Sequence, residues 1–449
     1  MNRDFLAARR ALATVWQLPL APSGAITPHF SGNLGEFKTC RRDSKPTEED
    51  RISLDLKGRI SELDGIRGIA IGMVLMHHYF FQPIEAPPGT ALSYVQAAAR
   101  LGWSGVDLFF VLSGFLIGGI LLDARTSSNY FAVFYTRRFF RIVPIYFVFL
   151  TLTFCVYALG RLGITSDFQW IFQYRIPWFS YPLFLQNFWM AVTTSFGALG
   201  LTVTWSLAVE EQFYLTLPTL VRFLRARDLA LTLASGIILA PVSRILLHAF
   251  APSHFLSWYT LMPCRADALL LGVVGAMLLR SEVWSQRLIR SRRLLLLLIA
   301  ALGIGLAVLT VRAPDPYGYG MLAIGYSWLA LFYLSVILCG LLYCETWFGA
   351  FLRWGWLRWL GSIAYGAYLF HEIIRHTLLG LLSSGIPRHW SPRDILVSCV
   401  ALSLTLLLCR LSWKFFEKPL IQLGHRAHYE GTQPQAVGSV LSPGMGRNA

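Results

Sequence analysis

Arg67 and His78 are the first pair of residues whose types and spacing point to chemistry. They lie in an apolar run that begins Asp64-Gly-Ile-Arg67 and ends Met76-His77-His78. At ~100° per residue, eleven residues make about three turns plus ~20°. Both side chains would therefore leave one face of a helix, roughly 16 Å apart along its axis. Asp64 stands three residues before Arg67 and can pair with it. An imidazole deep in such a helix can act as a general base at neutral pH if its neighbours leave it neutral. His77 would point ~100° away and serve as a packing partner.

Five further stretches carry groups that packing alone does not require. Asp107 opens the apolar run Val106-Asp107-Leu-Phe-Phe-Val-Leu-Ser113-Gly114 and could orient an imidazole. Gly114 suits close helix packing. Arg137, Arg138 and Arg141 fall within five residues, a natural clamp for phosphate because guanidinium binds its oxygens bidentately. Plain positive-inside charge would read the same way. Glu210 and Glu211 sit side by side in Trp205-Ser206-Leu-Ala-Val-Glu210-Glu211-Gln212, where an unpaired carboxylate is costly. One of them could pair with Arg244 or Arg265 while the other faces a cavity. Arg265-Ala-Asp267 reads as an internal acid–base pair. Tyr368-Leu-Phe-His371-Glu372, with Arg375 and His376 a turn on, reads as the lining of a polar cavity. His371 and Glu372 are helix neighbours and would not face each other. There is no HExxH and no second ligand set at matched spacing, so no metal is expected.

The elements that must position these groups are membrane helices. Of 449 residues, 55% are hydrophobic and only 14% charged, too apolar for an ordinary soluble enzyme. About ten apolar runs are long enough to cross a hydrocarbon core. They lie near 64–82, 103–122, 140–160, 203–222, 229–250, 257–279, 294–312, 321–344, 359–382 and 395–415. The expected fold is an all-α, polytopic membrane helix bundle. The longest connection, 161–202, is rich in aromatics (Trp170, Trp178, Tyr181, Trp189) that suit interfacial anchoring or stacking on a sugar ring. Net charge is +15, but the basic residues sit between apolar runs, a pattern of membrane topology and not of nucleic-acid binding. Fourteen arginines in the loops of one side against six in the other place both termini in the cytoplasm. The seven cysteines include no CxxC and read as small buried hydrophobes. Residues 1–60 are expected as a flexible cytoplasmic tail, 61–423 as the membrane domain, and 424–449 as a disordered cytoplasmic tail.

Taken together, these stretches resemble the acyltransferase-3 family of integral membrane acyltransferases. The resemblance rests on Leu63-Asp64-Gly-Ile-Arg67-Gly with His78 at the R-x10-H spacing, on Val106-Asp107 through Phe115, and on Arg138-Phe-Phe-Arg141. It continues in Trp205 to Tyr214, Arg265-Ala-Asp267, Tyr368-Leu-Phe-His371 and Phe416-Glu417-Lys418-Pro419. It implies transfer of an acyl group, often acetyl, from cytoplasmic acyl-CoA to a hydroxyl of a glycan or glycoside at a bacterial inner membrane. On that reading Arg137, Arg138 and Arg141 hold the phosphates of the donor. His78 is base or transient acyl carrier, tuned by Arg67, Asp107 and one of Glu210 or Glu211. Trp205, Ser206, Arg265, Tyr368 and His371 are the candidate acceptor contacts. Some members of the family add a soluble domain. Only about 25 polar residues follow Leu423, so the chemistry is expected within the membrane domain. The competing class is a transporter or flippase of a lipid-linked sugar that uses the same buried charges without acyl chemistry.

Overall fold

A computed structural model describes residues 60–81, 99–161, 176–312, 315–382 and 391–431. Most of the two expected tails, and Trp170 in the long connection, lie outside the described residues. Among the described residues there is no strand, and the ten apolar runs all fall on helices. The chain is an all-α, multi-pass membrane protein.

Helix α1 is Ser61–Met76, prolonged by a π turn, His77–Phe81. Next come α2 (Gly105–Asp123), α3 (Tyr130–Arg161), the short α4 (Gln186–Thr193) and α5 (Thr204–Phe223). The middle of the chain forms α6 (Ala226–Phe250), α7 (Phe255–Thr260), α8 (Met262–Arg280), the amphipathic α9 (Glu282–Arg290) and α10 (Arg292–Arg312). Then follow α11 (Tyr326–Leu342, entered through a π turn), α12 (Trp347–Leu352), α13 (Gly355–Ser362), α14 (Ala364–Leu382), α15 (Pro392–Ser412) and α16 (Lys418–Gly424). A third π turn, Trp413–Glu417, joins α15 to α16.

Seven stretches of these helices are long and apolar enough to cross a bilayer by length and composition. The other three expected spans are α1 with its π turn, α5, and α14 with α13 before it. These three fall short because they carry Arg67, Glu210 with Glu211, and His371 to His376. These three helices carry His78, Glu210 and His371 among the candidate site residues; intramembrane ionisable groups of this kind are functional by default.

Two differences from the sequence expectation matter for the site. The arginine-rich stretch before residue 144 is not a loop. It is the first half of α3, which runs unbroken through Pro144. Membrane helices tolerate an internal proline because neighbouring groups re-satisfy the freed carbonyl. Arg137 and Arg138 thus stand one helical turn from Arg141. In the long connection, 162–175 lie outside the described residues. The remainder folds back as α4, whose Asn187 bonds the Gln212 side chain and the Thr260 carbonyl. Tyr181 is buried there, with its carbonyl accepting from the Tyr146 hydroxyl at 3.0 Å. Trp178 remains 64% exposed, in the manner of an interfacial anchor.

The most extensive helix contact is between α2 and α8. Gly114 permits it, since a Cβ there would lie 1.8 Å from the Leu269 carbonyl oxygen, and Gly272 does the same against Val111 at 2.1 Å. This approach brings Asp107 against Arg265, 2.5 Å apart with both side chains 1% exposed. Asp107 therefore does not orient His78, as its place in the sequence suggested. It neutralises Arg265, whose guanidinium lies 3.9 Å from the Tyr326 ring centroid and within 6 Å of Trp205, Tyr259 and Phe110. The expected Arg265–Asp267 pairing is likewise replaced. Asp267 takes two bonds from Arg244 at 3.0 Å and one from Ser327 at 2.6 Å. On a helix, residues two apart point away from each other, so each acid finds its base on another helix.

Removing one member of such a pair leaves a buried charge alone, at a cost of about 3–5 kcal/mol. Arg265→Met should therefore collapse the monodisperse yield of detergent-solubilised protein. The double variant Arg265→Met with Asp107→Leu should recover most of it. Gly114→Val should lower the melting temperature measured in detergent, since the Leu269 backbone has no room to retreat; overpacking of this kind costs about 1–3 kcal/mol or more.

Candidate active site

α1, α2, α3, α5, α13, α14 and the α15–α16 turn enclose a cavity of about 270 Å³. At one end stand Arg67 from α1 and Arg137, Arg138 and Arg141 from α3, with His425 beyond α16. Arg67 is anchored by Asp64 at 2.8 Å. Arg137 gives two bonds, 3.0 and 2.7 Å, to the Ala427 carbonyl, and its guanidinium lies 5.0 Å from the Tyr429 ring centroid. It holds the segment after α16 against the bundle and is only partly available to a ligand. Arg138 lies over Tyr214 at 5.7 Å. Among the described residues neither Arg138 nor Arg141 has a carboxylate within ion-pair distance. Burial and the charges of Arg137, Arg141 and Arg138 hold the His425 imidazole below its ordinary range, so at pH 7 it adds no further charge.

The walls are apolar (Leu112, Leu116, Ile117, Ile120, Ile142) with Ser113, Glu210 and Tyr214 between them. Of the two adjacent acids, Glu210 lines the cavity, beside Ser113 and Tyr214, whose hydroxyls share a 2.6 Å bond. Glu211, one residue on, does not line it, as the ~100° step of a helix requires. Neither acid pairs with Arg244 or Arg265; both of those arginines are committed to aspartates. Glu417 is a second acid of the cavity wall, buried and held by Ser412 at 2.9 Å. Its sequence neighbourhood was recognised, but its depth comes from the π turn at the end of α15, which the residue pattern does not announce.

The far wall is a hydroxyl pair: Tyr368 from α14 and Ser206 from α5, 2.7 Å apart. The Tyr368 hydroxyl also donates to the Val203 carbonyl at 3.2 Å. Trp205 points away from the cavity, into the aromatic cage around Arg265. Trp205 and Arg265 are therefore parts of a sealed ion-pair core and not the acceptor contacts suggested by their sequence positions. Ser206 and Tyr368 do line the cavity.

His78 lies one aromatic layer beyond. The Tyr368 ring centroid is 5.8 Å from that of His371, and His371 is 4.9 Å from His78. His78 sits on the π turn of α1, with Nδ1 2.9 Å from the Val74 carbonyl oxygen and 3.3 Å from His371 Nε2. His371 directs its own Nδ1 at the Tyr368 carbonyl, 2.8 Å away. The nearest acid to His78 is neither Asp107 nor Glu210. It is Glu372, whose Oε1 lies 3.7 Å from His78 Nε2 and 3.7 Å from His371 Nε2. The other carboxylate oxygen of Glu372 bonds His376 at 2.6 Å, and Arg375 lies 3.7 Å from Oε1. The Glu372–His376 spacing, four residues on one helix, was a legible signal. The approach of His78 was not, since it crosses from another helix.

His78, His371 and Glu372 also bring one ligand atom each within 4.8 Å of the others, close enough for a metal ion to bridge. The sequence expectation of no matched ligand set considered spacing within single helices. The fold completes such a set from two.

Residues 60–413 match the acyltransferase domain family. The chain is 28% identical over 389 residues to a Bacillus subtilis protein described as the putative peptidoglycan O-acetyltransferase YrhL, covering 82% of this chain and 56% of that protein. It is 26% identical over 386 residues to the peptidoglycan O-acetyltransferase OatA of Listeria monocytogenes, covering 83% and 57%. The O-acetyltransferase OatA of Staphylococcus aureus is 26% identical over 392 residues, covering 81% and 58%. The chain thus spans a little over half the length of these relatives. No solved structure matches. The family's domain covers the whole bundle from the start of α1 to the end of α15, and this multi-pass membrane protein belongs to the acyltransferase-3 family.

Proposed function

We propose that this chain transfers an acyl group, acetyl in the first instance, from acyl-CoA to a hydroxyl of a cell-envelope glycan. The cavity carries this reading: free guanidinium groups at its mouth, an apolar passage, and Tyr368 at its end leading to His371 and His78. Guanidinium groups without carboxylate partners suit phosphate, which they bind bidentately. Arg138 and Arg141, assisted by Arg67, hold the phosphates of coenzyme A on the cytoplasmic side, and Arg137 secures the segment after α16 beside them. The pantetheine arm follows the apolar wall of α2, and the thioester reaches the layer of Ser206 and Tyr368.

His78 takes the proton from the acceptor hydroxyl through Nε2. The oxygen then attacks the thioester carbon, the C–S bond breaks, and the thiolate leaves with the electron pair and recovers a proton. Peptidoglycan is the first acceptor to try, because the Bacillus and Listeria relatives bear that substrate in their names. The arginine distribution supports a bacterial inner membrane with both termini cytoplasmic.

Purified full-length protein in liposomes, given labelled acetyl-CoA and peptidoglycan fragments, tests this directly. His78→Ala should lose at least a hundredfold in rate while keeping its elution profile and donor binding. Wild-type-like acylation by that variant would remove His78 from the chemistry. Arg138→Ala combined with Arg141→Ala should raise the KM for acetyl-CoA tenfold or more, since each charge-assisted bond is worth about 1.5–3 kcal/mol. An unchanged KM would show that the donor phosphates lie elsewhere.

A further inference from the structure

The tautomer of His78 follows from its surroundings. A carbonyl only accepts, so the 2.9 Å approach to Val74 makes Nδ1 the protonated nitrogen of neutral His78. The same Nδ1–H faces His371 Nε2 at 3.3 Å, and that nitrogen is free to accept because His371 spends its own Nδ1–H on Tyr368. His78 Nε2 is then left with its lone pair. What it faces is Glu372 Oε1, a buried carboxylate oxygen that accepts no hydrogen bond among the described residues. Two lone pairs thus oppose each other across 3.7 Å, with no hydrogen between them. Buried acceptors are rarely left so unless a substrate or proton completes them.

We propose that the acceptor hydroxyl docks against His78 Nε2, and that Glu372, whose Oε1 lies 3.7 Å from that nitrogen, is the positioning residue of the transfer step, acting through His78. The inference rests on the reading of His78 as base. The docked hydroxyl donates its proton to Nε2. As its oxygen bonds to the acyl carbon and the C–S bond breaks, the Nε2–H just formed faces Oε1, and imidazolium and carboxylate form an ion pair within the bundle. The proton then passes from Nε2 to the departing thiolate, and Glu372 ends as it began. His376 on Oε2 and Arg375 near Oε1 keep the carboxylate aimed at His78. Glu372 lies outside the lining of the donor cavity, so its effect falls on transfer and not on donor binding.

The test compares Glu372→Gln and Glu372→Asp with wild type in the liposome assay. Glutamine keeps the volume and one acceptor but removes the charge that stabilises imidazolium. Its kcat should fall about a hundredfold or more, with KM for acetyl-CoA within twofold of wild type and a larger solvent deuterium isotope effect on kcat. Aspartate restores the charge at a longer reach and should recover at least tenfold of that loss. Donor binding by equilibrium dialysis confirms that each variant is folded. A Glu372→Gln enzyme that retains kcat within threefold, while His78→Ala is inactive, overturns the role of Glu372 and leaves the base assignment standing. Inactivity of wild type in every acceptor assay would instead count against the acyl-transfer reading itself. Stoichiometric zinc or manganese in wild-type protein, lost in both His371→Ala and Glu372→Gln, would also overturn the proposal. The lone pairs would then belong to a metal.

Discussion

The cost of an unpaired charge in hydrocarbon is the constraint on which this bundle depends. Asp107 with Arg265, and Asp267 with Arg244, meet it by closing on each other across helices, with every side chain at most 1% exposed. Those four groups are spent on holding α2, α6 and α8 together. What remains unpaired stands out by contrast. Arg138, Arg141 and Glu210 line one cavity, and Glu372 Oε1 faces His78 without a bond. In a soluble protein such residues could be left to water.

The same close packing that seals the aspartates builds the site. Gly68 in α1 and Gly361 in α13 let the two helices touch at their backbones; a Cβ would lie 2.1 Å from the Leu357 oxygen and 2.0 Å from the Asp64 oxygen respectively. α14 continues directly from α13, so this contact fixes how far His371 and Glu372 stand from His78. The π turn at the end of α1 supplies the remaining adjustment. It widens the helix at His77 and moves His78 off the face that an ideal α-helix would share with Arg67. Sub-ångström placement of the His78–Glu372 gap therefore depends on glycine contacts far from the gap itself.

This division explains what could be read from the residues alone. The apolar runs were legible because hydropathy and length are local properties. The arginine cluster was legible because its members sit within one helical turn. Pairings between helices were not. Asp107 looked like a partner for an imidazole and Arg265 like a partner for Asp267, because sequence proximity was the only distance available. Glu372 was seen in a polar cavity yet not joined to His78, since the two meet across 294 residues of chain. In each case the partner came from a helix whose docking angle no short pattern encodes.

The cavity and the histidines are separated by a single layer, Tyr368 with Ser206, and that layer bears on how a donor from one side could meet an acceptor from the other. Tyr368 is held by the Ser206 hydroxyl and the Val203 carbonyl, so its ring is fixed in contact with His371. A thin, uncharged arm can pass such a layer where an aqueous channel would leak ions. The arrangement keeps the charged clamp on one side of Tyr368 and the imidazole–carboxylate gap on the other.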